Sequence, residues 1–322
     1  MMGLRFIVVC AALIVCACAH QPSGTSKFSS HWPTLRQQIF TKDLELDAFF
    51  SQGPFSYNEF LDFTITISPK DKVNTDFFRT NNEFNPALAI IVHGNGYNKL
   101  AHRIQAERIA SWGFHCLVLN LPNRNQWLEN GKKVRALVSL IKSYPRLLSG
   151  NLNQEKIYLI GHSFGGSASV LAAGFGAPAR GLILLDPAMV HASVKEALRN
   201  ISVPSVLLGA DKKVFRSKKR AQFFDYIGGP IAEVSLIGAT HTDAQYPSIH
   251  KVHWGFDFVT NEQIQKRFLG ALLASLFSLS SSDRLEFVWH LFRKEVRRGH
   301  MKKARVKFVP DRSRLSLKKL RN

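Results

Sequence analysis

From Pro86 onward the chain repeats one pattern: a short, continuous apolar run, a turn, then a longer stretch with helical periodicity. The runs "ALAIIV", "FHCLVLNLP", "KIYLIG", "RGLILLD", "SVPSVLLGAD" and "AEVSLIG" read as strands buried on both faces. Between and after them, 98–112, 131–148, 164–174, 191–200, 217–227 and 262–278 read as helices. The pattern predicts an α/β fold, a mainly parallel, doubly wound sheet with helices on both faces. Earlier, "FLDFTITIS" (60–68) alternates apolar and polar, as a half-buried strand does. Residues 20–58 mix polar and aromatic positions and read as a linker with irregular entry structure, so the folded domain is expected over 59–280. Beyond it, Leu285, Val288, Leu291, Phe292 and Val296 fall at helical spacing with basic residues opposite. A Lys/Arg-rich tail without strong periodicity completes the segment 281–322.

Composition sharpens this picture at the two ends. A chain of 322 residues with 45% hydrophobic content has ample core for one large α/β domain or two small ones. The formal net charge is +20, and residues 283–322 hold 14 Lys/Arg against four acids, half of that excess. At the other end, Arg5, the apolar "FIVVCAALIVCA" and the polar "HQPSGTS" form an export signal over 1–19, its apolar run too short for a membrane span. Three processing readings compete. "VCAC" (15–18) resembles a bacterial lipobox, which makes Cys18 the lipidated residue; "ACA" before His20 suits ordinary signal peptidase; an uncleaved anchor is the third. The chain is therefore expected in the bacterial cell envelope, lipid-anchored, with a periplasmic or secreted form as the alternative. Cysteines stand at 10, 16, 18 and 116, so the body has Cys116 alone, read as a core residue outside any disulfide framework.

The candidate chemistry lies at "GHSFG" (161–165), a G-x-S-x-G with a strand before and a helix after. A nucleophile on so sharp a turn needs Gly161 and Gly165 two positions either side of Ser163. The competing reading is an ordinary strand-to-helix turn. A serine hydroxyl also needs a base and a site for the developing oxyanion. "HGNG" (His93, Gly94, Asn95, Gly96) follows an earlier strand where an oxyanion loop belongs, with the backbone N–H groups of Asn95 and Phe164 as donors; alternatively it is only a glycine turn. His241 in "SLIGATHTD" follows a late strand and is the candidate base, better placed than His250 or His253. Two acids stay open as orienters of the imidazole. Asp186 ends the strand after the elbow strand and Asp211 ends the one after that.

These motifs resemble the α/β-hydrolase superfamily, and within it the branch of platelet-activating-factor acetylhydrolases, chlorophyllases and polyester-hydrolase-like enzymes. The resemblance is carried by "IIVHGNGYNK", "ASWGFHCLVLN", "IYLIGHSFGGSASV", "GLILLDPA" and "LIGATHTD", over roughly 86–245. It implies a Ser-His-Asp hydrolase of carboxylic esters working through an acyl-enzyme. An envelope acyltransferase or a non-catalytic hydrolase scaffold is the alternative. In the acetylhydrolase and chlorophyllase groups the acid stands in an "LD" context like Asp186. Polyester-hydrolase-like relatives use the next strand, where Asp211 lies, but "GAD" is one residue tighter than their G-x-x-D, which favours Asp186. The stretch between "LPNRNQW" and the elbow strand is short, and the segment from Asp186 to Pro204 is too short for a large lid domain. Such a site suits short or accessible acyl chains.

No metal-ligand cluster, phosphate loop or dinucleotide fingerprint appears, so no cofactor is expected and the metal count is none. The expected partner is a small-molecule or lipid ester. For the basic tail the readings are a solvated end, or an anionic membrane surface engaged by Trp289 and Phe292 beside Arg and Lys. Nucleic acid is disfavoured for an exported chain lacking a base-reading motif. The clusters "KK" (212–213) and "SKKR" (217–220) read as exposed helix starts or as a field that attracts anionic substrates.

Overall fold

The computed structural model describes residues 45–122, 126–212, 220–247, 260–282 and 285–308. The export signal with Cys18, His250 and His253, Lys213, most of "SKKR" and the last fourteen positions of the tail lie outside the described residues.

Uninterrupted apolar runs form the centre of the sheet because both of their faces are covered. The strands are β1 (Tyr57–Ser68), β2 (Asp71–Thr80), β3 (Leu88–Val92), β4 (His115–Asn120), β5 (Ile157–His162), β6 (Gly181–Leu185), β7 (Ser205–Ala210), β8 (Ile231–Leu236) and β9 (Met301–Lys307). They form one sheet in the order β1-β2-β4-β3-β5-β6-β7-β8-β9. From β4 to β8 every neighbour is parallel; β1, β2 and β9 run antiparallel at the edges. Strand periodicity sends Leu88, Ile90 and Val92 to one face and Ala89 and Ile91 to the other. The first face is covered by α2 (Trp127–Ser143), α3 (Phe164–Gly174), α4 (Ser193–Asn200) and α5 (Arg220–Tyr226). The second is covered by α1 (Arg103–Ser111), α6 (Glu262–Ser282) and α7 (Glu286–Arg297). This is the mainly parallel, doubly wound sheet that the apolar pattern predicts. Among the described residues no helix is long and apolar enough to cross a membrane. Cys116 is buried in β4, and burial pushes its thiol well above the ordinary value.

Three expectations need correction. The first concerns strands. β2 is invisible to the apolar pattern because Thr75 and Asp76 are buried within it, Thr75 Oγ1 donating to Phe63 O (2.7 Å) and Asp76 paired with Lys99 (2.5 Å). The second concerns the boundary near 280: the sheet does not end there. β9, written "MKKARVK", pairs with β8, its charges matched by Lys302–Asp211 (2.5 Å) and by Arg305 on Glu233. The described part of the entry segment joins the core, since Leu46 and Phe49 are buried and Phe49 stacks on Phe277 at 5.5 Å. The third concerns α7. Its apolar stripe is real and packs inward: Val288 and Phe292 are fully buried and Trp289 packs on the same core.

Candidate active site

The turn between β5 and α3 is made of "HSFGG", and Ser163 sits on it with φ +54° and ψ −120°, a region L residues rarely adopt. The glycines close it. A Cβ on Gly161 would lie 2.6 Å from both Gly165 O and the Gly166 Cα. The strained backbone is held at both ends: Ser163 N donates to Leu185 O (3.1 Å), and Ser163 O accepts from Gly166 N and Ala188 N (3.0 Å each).

His241 opens a 3₁₀ turn (His241–Ala244) just beyond β8. Thr240 caps it, its N–H and hydroxyl both donating to Asp243 Oδ2 at 2.7 Å, while Asp243 Oδ1 accepts from Asn261 N at 2.9 Å. So fixed, His241 reaches two partners: Nε2 lies 2.8 Å from Ser163 Oγ and Nδ1 lies 2.6 Å from Asp186 Oδ2. A carboxylate can only accept, so Nδ1 carries the proton and Nε2 is free to accept from the serine hydroxyl. Asp186, at φ +38°, directly follows β6 and is 4% exposed. Burial raises its carboxyl pKa. The hydrogen bond and charge of His241, the charge of Arg220 and the Ala210 N–H outweigh that and hold it well below the usual carboxylate range. Asp211, the other acid left open, is elsewhere: Oδ1 pairs with Lys302 (2.5 Å) and Oδ2 accepts from Gly238 N (3.4 Å). Burial pushes Asp211 up and Lys302 brings it below its ordinary value.

The "HGNG" loop leaves β3 beside this group. Leu121 N donates to His93 Nε2 (3.0 Å), so His93 Nδ1–H donates to Gly94 O (2.8 Å) and fixes that peptide. A Cβ on Gly94 would come within 2.9 Å of Ser163 Cβ and His162 Nδ1, which shows how closely the loop lies against the serine. Gly96 takes φ +78°. Asn95 thus follows a peptide pinned next to Ser163. Phe164 N–H belongs to the first turn of α3, where backbone donors have no intrahelical acceptor and the helix dipole favours negative charge. The half-buried Phe164 ring packs edge-on to Trp127 (5.7 Å), and Trp127 edge-on to His93 (6.2 Å).

Several residues have supporting roles here that the sequence alone does not assign. Lys99 is buried between Asp62 (2.7 Å) and Asp76 (2.5 Å) and moors the loop after "HGNG" to β1 and β2. His162 receives a hydrogen bond from Gln245 Nε2 at Nδ1 (2.9 Å) and donates from Nε2 to His241 O (3.1 Å). Burial drives its pKa well below the ordinary value, so an uncharged ring lies 4.7 Å from that of His241. Arg220, from the basic cluster read as exposed, turns inward to Asp186 Oδ1 and is only 13% exposed. Only two short loops and α4 lie between Asp186 and β7.

A family model described as "Alpha/beta hydrolase family" matches residues 89–310, from β3 past β9, and takes in Ser163, Asp186 and His241. No curated protein matches the chain.

Proposed function

This chain belongs to the alpha/beta hydrolase family, and we propose that it is a serine hydrolase of carboxylic esters. The observation that carries the reading is the continuous relay from Ser163 Oγ through His241 (2.8 Å) to Asp186 (2.6 Å). In the proposed reaction His241 Nε2 takes the hydroxyl proton as Ser163 Oγ attacks the ester carbonyl. Asp186 stabilises the imidazolium and keeps the productive tautomer. The N–H groups of Asn95 and Phe164 receive the oxyanion. His241 then returns the proton to the leaving alkoxide, and water, activated by the same imidazole, releases the acid. The half-buried Phe164, next to the serine, supplies apolar surface there. With no room for a lid domain between β6 and β7, the reading favours short or accessible acyl groups. The motif set supports a place near the acetylhydrolase, chlorophyllase and polyester-hydrolase-like branch. The N-terminal signal supports export and attachment to the cell envelope through Cys18.

The test is fluorophosphonate labelling with a panel of nitrophenyl esters of rising chain length. Wild type is expected to label and to hydrolyse the shorter esters, and Ser163→Ala to do neither. Equal labelling of the two proteins, or no hydrolysis of any ester, sinks the enzyme reading. Labelled palmitate incorporated by wild type and lost in Cys18→Ala checks the anchor.

A further inference from the structure

We infer that Arg220 is a positioning residue of the proposed reaction. It clamps Asp186 from behind, so that one carboxylate oxygen faces His241, and its charge offsets part of that carboxylate's pull on a positive charge at the imidazole. The inference rests on the serine-hydrolase reading above. It is carried by a division of labour at the carboxylate. Among the described residues Oδ2 serves His241 alone, while Oδ1 accepts from Ala210 N (2.9 Å) and from Arg220 Nη1. The same guanidinium donates to Ala210 O (2.5 Å) and, through Nη2, to Ser235 Oγ (3.0 Å). One side chain therefore ties together the C-terminal ends of β6, β7 and β8. The fold leaves room for it at one position. A Cβ on Gly209 would lie 2.5 Å from the Arg220 Cζ and 2.7 Å from Nη1.

The electrostatic effect has a definite sign. Asp186 favours the imidazolium of His241, and a cation on the far side of that carboxylate offsets part of the attraction. Among the described residues, other charged or titratable groups on the surrounding elements have partners of their own. From β5 comes His162, uncharged and touching the His102 ring; from β8, Glu233, paired with Arg305 of β9; from α5, Asp225, also on Arg305; and from the 3₁₀ turn, Asp243, engaged by Thr240 and Asn261. Asp211 is paired with Lys302 at the neighbouring strand end. Among the described residues, Arg220 is the Lys or Arg bonded directly to Asp186. Without it that attraction is unopposed, and the acid limb of the activity profile moves up in pH.

The experiment measures kcat/KM for a nitrophenyl ester across the acid limb, in the full chain, with sites counted by fluorophosphonate titration. Arg220→Met is expected to move the limb up by about one pH unit. Well below the midpoint that is about a tenfold loss relative to the variant's own plateau. Gly209→Ala displaces the guanidinium without touching the reacting groups and is expected to move the limb the same way. Arg220→Lys keeps the charge, loses the fork and is expected to lower the plateau with the limb unmoved. Limbs of Arg220→Met and Gly209→Ala that superimpose on wild type, whatever their melting temperatures, overturn the inference and leave Arg220 a structural clamp. If Arg220→Met does not fold, Gly209→Ala against Arg220→Lys makes the same comparison. Failure of the underlying reading is seen separately and first, as wild type labelling no better than Ser163→Ala.

Discussion

Replacing each candidate acid by its amide separates them, and the structure supplies the magnitudes. In Asp186→Asn, Arg220 and Ala210 N both donate to the position of Oδ1, so the amide oxygen settles there. The NH₂ group then faces His241 Nδ1, which must accept instead of donate. The proton moves to Nε2, and the imidazole can no longer take one from Ser163. A wrong tautomer of this kind lowers turnover by about 10³–10⁴, or about 4–5 kcal/mol of barrier. The same change leaves the guanidinium of Arg220 buried without its anion, which costs about 3 kcal/mol of stability. In Asp211→Asn the loss is one ion pair with a half-exposed Lys302, worth about 0.2–1 kcal/mol, and the relay is untouched. The assay is kcat on a nitrophenyl ester, normalised to the folded fraction from circular dichroism, with urea unfolding alongside. Near-normal turnover in Asp186→Asn, or an equal fall in Asp211→Asn, refutes the assignment.

Phe292→Ala removes a fully buried ring from α7 and should cost about 3–5 kcal/mol in urea unfolding; unchanged stability with weaker binding to anionic vesicles would mean that the ring faces lipid. Lys99→Met leaves Asp76 buried without its cation and should cost about 3 kcal/mol, read by the same method. Burial holds the His102 pKa down at about 4. The unfolded imidazole protonates first as pH falls from about 6.5 to about 4, so stability drops through that window by about 3 kcal/mol, and His102→Gln should flatten the pH dependence. A His102→Gln profile parallel to wild type would mean that His102 is not the titrating group.

What could be read from the sequence follows from where each instruction is written. Parallel strands covered on both faces are spelled as unbroken apolar runs, so six of them are legible without any partner. Ser163 is legible for the same local reason: the turn that positions it consists of its own neighbours. β2 and β9 escape because their polar side chains are satisfied at a distance, Asp76 by Lys99 and Arg305 by Glu233. The choice between Asp186 and Asp211 is of this second kind. Both end adjacent parallel strands, and what tells them apart is Arg220 on one and Lys302 on the other, each far along the chain. Helical periodicity in α7 correctly marks an apolar face, but periodicity is silent on what covers that face.

The same distinction bears on the net charge. A basic C-terminal segment suggests a field that attracts anionic partners, yet several of its described cations are engaged within the fold. Lys294 and Arg298 hold Glu45, Arg298 and His300 contact Glu295, Lys302 holds Asp211, and Arg305 holds Glu233 and Asp225. Lys307 donates to Phe224 O (2.6 Å) and lies over its ring at 4.7 Å. A cation matched this way contributes little to a long-range field and more to the docking of β9 on β8. Half-exposed pairs are screened within about 10 Å at about 0.1 M salt. Raising salt should therefore loosen this edge, seen as faster amide exchange in β9 than in β5. Salt-independent exchange in β9 would show that its backbone pairing, and not these charges, holds the edge.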